Sequence, residues 1–263
     1  MLIHYILIFI FGTVVGSFLN VVIIRLKNGD SIFKKRSHCL FCARKLTWKE
    51  LIPIFSFLFQ KRRCLGCRKK ISWQYPLVEF FTGLLFLIVV YRFFDFSFLG
   101  ILVSCYLLLV TCFLIIIFVY DLKYYLVANR VIYPAIIVVS IWYLVFSIFF
   151  KFYTKYDLLN ALYGAAIVGG LFLAIVLLSK EKWMGWGDVK IAVLIGLLLG
   201  PHKTLLALFL AFLSGAIVSI VLIVLKKKKI KSELPFGPFL VSATFISIFW
   251  GYIILNWYLN LFL

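Results

Sequence analysis

The sequence predicts an all-α polytopic membrane protein: about eight transmembrane helices and one cytoplasmic loop carrying four cysteines. Three observations lead there. Of 263 residues, 65% are hydrophobic and only 14% charged, with a mean hydropathy of +1.13; a soluble domain is nearer ~45–50% apolar and ~25% charged. Apolar runs of about 20 residues, the length that spans a bilayer, recur almost from end to end. A single long polar insertion, 25–75, interrupts them. An ordinary soluble enzyme and a disordered tail are both excluded.

The helices are expected at 3–24, 76–94, 97–120, 131–150, 160–179, 183–200, 204–225 and 238–260. The first has no basic residue ahead of it and no clear small-residue cleavage site, so it reads as a retained span and not a secretory signal. Two domains are expected: 1–75, the first span with the cysteine loop, and 76–263, seven further spans.

Sidedness follows from Lys and Arg, which gather in cytoplasmic loops. Segment 25–75 holds 14 of the 28 basic residues and two acids, Asp30 and Glu50. With that loop cytoplasmic, 24 basic residues lie on its side and four on the other; setting aside the loop that fixed the sign, the rest still divide ten to four. The net charge of +19 is therefore mostly topological bias and attraction to anionic lipid, and needs no nucleic-acid partner.

Cys39-Leu-Phe-Cys42 and Cys64-Leu-Gly-Cys67 form two C-x2-C turns, whose four thiolates can surround one tetrahedral zinc. Such a loop would bury too little apolar surface to fold alone, and a metal crosslink offsets that deficit. Four sulfur ligands leave no open position, so the metal would be structural. Redox thiols are the alternative. Cys105 and Cys112, seven apart on one helix face, read as small packing residues.

Six of the nine acids, Asp30, Glu50, Asp95, Asp157, Glu181 and Glu233, fall in loops and read as solvated. Glu79, Asp121 and Asp188 do not. Asp121 ends an uninterrupted apolar run. Asp188 lies in Gly185-Trp186-Gly187-Asp188-Val189-Lys190. A helix beginning after it would reach only about 18 Å by Gly200, short of a ~30 Å hydrocarbon core, so the helix has to take Asp188 in. An intramembrane carboxylate is costly and marks a functional candidate. Two crossings separate Asp121 from Asp188, which returns both to one face. Brought together, two such groups resist ionising at once: one keeps its proton and the other can take one, the division of labour of aspartic proteases. The alternative is that each acid reaches the interface and pairs with Lys123 or Lys190.

Taken together these motifs resemble the bacterial type IV prepilin peptidases, relatives of the GxGD intramembrane aspartyl proteases. Gly185, Gly187, Asp188 and Lys190 match the GxGDxK signature, and Asp121-Leu122-Lys123 matches the other aspartate segment. Gly16-Ser17-Phe18-Leu19-Asn20, Arg36-Ser37-His38-Cys39, Tyr75-Pro76-Leu77-Val78-Glu79 and Pro235-Phe236-Gly237-Pro238-Phe239 resemble further family segments, in the family's order. One departure is Val127-Ala128-Asn129, where the family usually has Ile-Pro-Asn.

The resemblance implies a bacterial inner-membrane enzyme with two activities. It would cut the basic leader from prepilins or pseudopilins at the cytoplasmic face, then methylate the new N-terminus with S-adenosylmethionine. Asp121 and Asp188 would be the protease pair, with Gly185, Gly187 and Lys190 in support. Cys39, Cys42, Cys64 and Cys67 would hold zinc, and Glu79 would serve methyl transfer or simply anchor a helix end. The other readings are a peptidase lacking methyl transfer, and a non-enzymatic scaffold or transporter with a zinc-stapled loop.

Overall fold

The computed structural model describes residues 2–31, 36–149, 155–227 and 234–261. Lys34, Lys35, Lys228, Lys229 and Glu233 lie outside them. Among the described residues there are only helices, turns and two isolated β-bridges. The helices are α1 (Leu2–Asn28), the short α2 (Phe55–Phe59), α3 (Gln74–Phe93), α4 (Phe98–Tyr124), α5 (Asn129–Phe149), α6 (Lys155–Ser179), α7 (Trp186–Val224) and α8 (Gly237–Leu259), with one 3-10 turn at Trp48–Leu51. All but α2 are long and apolar enough to cross a membrane, and the chain is a multi-pass membrane protein.

Within α7 two helices meet at a kink at Gly200, in keeping with the segments expected at 183–200 and 204–225. There φ is 68° and ψ 177°, a conformation open to glycine and costly for other residues. Pro201 follows with no N–H to continue the ladder. The Thr204 hydroxyl donates to the freed Gly200 carbonyl at 2.5 Å. Before the break the helix runs for about 21 Å, and it starts at Trp186, so Asp188 lies in its first turn.

The chain forms two compact units, Met1–Ile116 and Ile117–Leu263. In the first, α1 packs on α3 through small residues: a Cβ at Gly12 would lie 2.7 Å from the Gly83 Cα, and one at Gly16 2.8 Å from the Glu79 Cα. In the second, α7 packs on α6 and α8. A Cβ at Gly196 would meet the Ala165 backbone at 2.6 Å, and one at Gly164 the Gly196 carbonyl at 2.5 Å. Both Gly-x-x-x-Gly pairs thus let backbones approach, as small residues do where lipid supplies no hydrophobic drive to associate. Each unit is filled by aliphatic and aromatic side chains, among them Ile23, Phe86 and Val89 in the first and Ile132, Phe172, Ile195 and Leu240 in the second.

Candidate functional sites

Asp121 stands on the last turn of α4 and is only 6% exposed. Its carboxyl faces the start of α8, where the Pro235-Phe236-Gly237-Pro238 turn brings the backbone close. A Cβ at Gly237 would collide with Asp121 Oδ2 and lie 3.1 Å from its Cγ and 3.2 Å from Ile191 Cδ1. Glycine is what allows carboxyl and helix start to share this space. The Gly237 backbone N–H is directed at this carboxyl, but Oδ2 is buried and makes no hydrogen bond of good geometry among the described residues, which leaves it open to a ligand or water.

Asp188 is half-buried in the first turn of α7, where its backbone N–H closes on the Gly185 carbonyl at 3.1 Å. It is close enough to Asp121 for the two carboxyls to interact electrostatically. Gly187 carries the tightest constraint in the motif: a Cβ there would lie 2.6 Å from Val127 Cγ2. A Cβ at Gly185 would meet nothing nearer than the Gly187 nitrogen at 3.9 Å. Gly185 instead caps the helix in extended conformation (φ −91°, ψ 161°).

Neither lysine weighed as a partner forms an ion pair with these acids among the described residues. Lys190 Nζ donates to Asn129 Oδ1 at 2.7 Å and lies over the Tyr133 ring. Lys123 lies over Tyr124. The Lys190–Asn129 bond ties the signature on α7 to the residue kept from the first aspartate segment, across the Val127-Ala128 variation.

In the first unit, all four cysteine sulfurs lie within 4.8 Å of one another. A tetrahedral site with Zn–S near 2.3 Å needs sulfurs about 3.8 Å apart, and Cys39 and Cys67 are at 3.9 Å. The thiols therefore fit a four-sulfur metal site. The two turns are copies of one design. Cys39 N–H donates to the Arg44 carbonyl and Ala43 N–H to the Cys39 carbonyl; Cys64 N–H donates to Lys69 and Arg68 N–H to Cys64. Ala43 and Arg68 share a left-handed φ of 54°, and His38–Lys45 and Arg63–Lys70 bridges close the two turns. The Cys67 and Gly66 backbone N–H groups pull the Cys64 thiol down to about 6, against the effect of burial. That favours a thiolate at Cys64; Cys67, despite the Lys69 backbone N–H, is pushed up to about 11 by burial and the neighbouring thiols Cys42, Cys64 and Cys39.

Glu50 departs from the solvated reading. It is 8% exposed and ion-paired to Arg44, and its Oε2 accepts from both the N–H and the hydroxyl of Thr47 at 2.9 Å. Burial pushes its carboxyl up, but the Thr47 hydrogen bonds and Arg44 outweigh that and hold it below the usual range. Arg44 also reaches Cys64. Glu50 and Arg44 thus form an outer layer around the thiols, the kind that orients metal ligands.

Glu79, buried in the second turn of α3, accepts the Ile54 N–H at 2.7 Å and a hydrogen bond from Ser17. Ile54 has φ 62° and ψ −54°, which for a β-branched residue costs about 1–3 kcal/mol. Beside it the buried Asn20 amide donates to the Tyr75 carbonyl at 3.2 Å and accepts from Gln74. The Gly16-Ser17…Asn20 and Tyr75…Glu79 segments are therefore two halves of one polar cluster. Gly237, Arg44, Asn20 and Ile54 were not singled out as site residues from sequence. For Gly237 the proline-flanked glycine before the last span was the available signal.

Two acids stand on separate helices of a multi-pass membrane chain that also carries a distinct thiol cluster. The bacterial Peptidase A24 N-terminal domain matches residues 10–93, and the type IV leader peptidase family matches residues 108–220. A prepilin leader peptidase/N-methyltransferase of Bacillus subtilis (strain 168) is 33% identical over 97% of this chain and 98% of its own length. One of Aeromonas hydrophila is 32% identical over 99% and 95%. The chain belongs to the type IV leader peptidase family. No solved structure matches it significantly.

Proposed function

We propose that this protein is a prepilin leader peptidase and N-methyltransferase of the bacterial inner membrane, with Asp121 and Asp188 as the peptidase pair. The observation that carries the reading is the buried Asp121 carboxyl, held against the Gly237 backbone and Ile191 of α7 and within electrostatic reach of Asp188. It is supported by relatives of that name over nearly the whole chain. One aspartate, ionised, takes a proton from water, and the other, protonated, donates to the scissile carbonyl. The tetrahedral intermediate is then a neutral gem-diol; as its C–N bond breaks, the proton taken from water passes to the leaving amine and the carbonyl re-forms by returning its proton to the aspartate that supplied it. Gly237 keeps side-chain atoms out of the space beside Asp121, Gly187 lets the start of α7 pack on Val127, and Lys190 fixes that start through Asn129.

A prepilin presents an apolar helix with a basic leader on the cytoplasmic side, so burial in the membrane delivers the scissile bond at the depth of the aspartates. The enzyme's own loop is strongly basic, so recognition rests on depth and shape, not on opposite net charge. The four cysteines would hold a structural zinc, and S-adenosylmethionine would supply the methyl group. We assign methyl transfer to the neighbourhood of the cysteine loop and Glu79, whose carboxylate holds the strained Ile54 turn.

The test is incubation of the lipid-reconstituted protein with a leader-bearing pilin peptide and S-adenosylmethionine, read by mass. Loss of the leader with a gain of one methyl group is expected. Cleavage without that gain would leave a peptidase alone, and an unchanged peptide would overturn the reading.

A further inference from the structure

The cysteine loop carries an apolar face that neither its metal site nor its fold explains. In α2, Phe57 turns inward, 5% exposed, with its ring 5.0 Å from that of Trp73. Phe55, Leu58 and Phe59 sit at i, i+3 and i+4, one face of a helix, and are 60%, 62% and 83% exposed. Trp48, Leu51 and Ile52, just before them, are exposed too. The left-handed turn at Lys61 and Arg62 ends α2 and sets Lys61, Arg62 and Arg63 together at its end, while Lys49 lies over the Trp48 ring. The one acid in this stretch, Glu50, is buried against Arg44.

Position decides what this face meets. Ile54, the residue before α2, is hydrogen-bonded to Glu79, which lies about 7.5 Å along α3 from its first residue. The start of α2 is therefore held at the depth where a membrane span begins. An aromatic and aliphatic stripe edged by Lys and Arg, fixed at that depth, has the chemistry of an interfacial helix in an anionic bilayer.

We propose that Trp48, Leu51, Ile52, Phe55, Leu58 and Phe59 form a membrane foot. They lie in the headgroup layer of an anionic bilayer on the side where α1 ends and α3 begins, with Lys49, Lys61, Arg62 and Arg63 on lipid phosphates. The foot holds the thiol cluster flat against the bilayer over the Glu79 end of α3. The inference rests on the chain's being a membrane protein and not on its peptidase activity.

The test uses the full chain in vesicles of phosphatidylglycerol and phosphatidylcholine whose acyl chains are brominated near the headgroup. The Trp48 contribution is the emission difference between wild type and Trp48→Phe. The foot predicts that brominated lipid removes most of this difference, that aqueous iodide leaves it unchanged, and that quenching weakens when the anionic lipid is replaced by neutral lipid. The triple variant Phe55→Ser, Leu58→Ser, Phe59→Ser should restore the emission while keeping the metal content of wild type. The comparison with Trp48→Phe stands even if the triple variant fails to fold. A signal quenched by iodide and not by bromine places the face in water. One shielded from both places it against another protein, such as a second copy. Either result overturns the proposal, and equal quenching in neutral vesicles overturns its anionic requirement. None of these readings depends on cleavage.

Discussion

Replacing Gly237 by alanine adds one methyl group at the most crowded point of the second unit. The added Cβ overlaps Asp121 Oδ2 and stands 3.1 Å from the Asp121 Cγ and 3.2 Å from Ile191 Cδ1. Ile191 is wholly buried, so relief falls on the aspartate carboxyl or on the first turn of α8. Overpacking of this kind costs about 1–3 kcal/mol of stability. The larger effect is on catalysis: moving a reacting group by ~1 Å can lower the rate about 10²-fold, equivalent to ~2.7 kcal/mol on the barrier. If the displacement is confined to the Asp121 carboxyl, kcat should fall and KM should change little. Gly215→Ala is the control. Its Cβ would meet only Phe239, at 3.6 Å, an ordinary contact, and alanine is the better helix former by about 0.5–1 kcal/mol. Initial rates of leader removal, followed by mass with both variants in the same lipid, separate the two. Wild-type kcat in Gly237→Ala, or an equal loss in Gly215→Ala, would refute the argument that Gly237 is there to make room for Asp121.

Gly187→Ala should likewise impair cleavage, because its Cβ would lie 2.6 Å from Val127 Cγ2, and the added change Val127→Ala should restore much of the rate; a double variant no better than the single one would contradict this. Cys64→Ser should abolish tight metal binding, measured by metal analysis of the purified protein, since structural zinc contributes about 10–16 kcal/mol in small thiolate sites; full metal content in the variant would remove the four-sulfur site. Glu79→Ala leaves the partly buried Ile54 N–H without its acceptor, a loss of about 1 kcal/mol. Methyl transfer should fail while leader cleavage persists, and a mass assay showing both activities intact would free Glu79 of that role.

Much of this architecture could be read from composition and spacing, because span placement depends on local hydropathy and thiol clustering on short separations. The Gly-x-x-x-Gly spacing of Gly12/Gly16 and Gly196/Gly200 is likewise visible in the sequence, and such spacing favours close helix contact. The boundary between the two helices expected at 183–200 and 204–225 was legible in Gly200-Pro201, where the structure has a sharp kink. What spacing could not give were contacts between residues distant in the chain. The Gly237 backbone against Asp121 and the Ile54 amide on Glu79 are set by tertiary packing. Glu50 was misread because a loop acid is usually hydrated; here Arg44 and Thr47 replace the water. The short α2 was missed because its five residues carry too little periodicity to register.

The account turns on hydrolysis by two carboxyl groups acting together, and the most direct measurement replaces each in turn with its isosteric amide. Asp121→Asn and Asp188→Asn, reconstituted in lipid with a leader-bearing peptide, should each lose cleavage while retaining the metal content and helicity of the wild type. Cleavage at a rate comparable to wild type by either variant would contradict it.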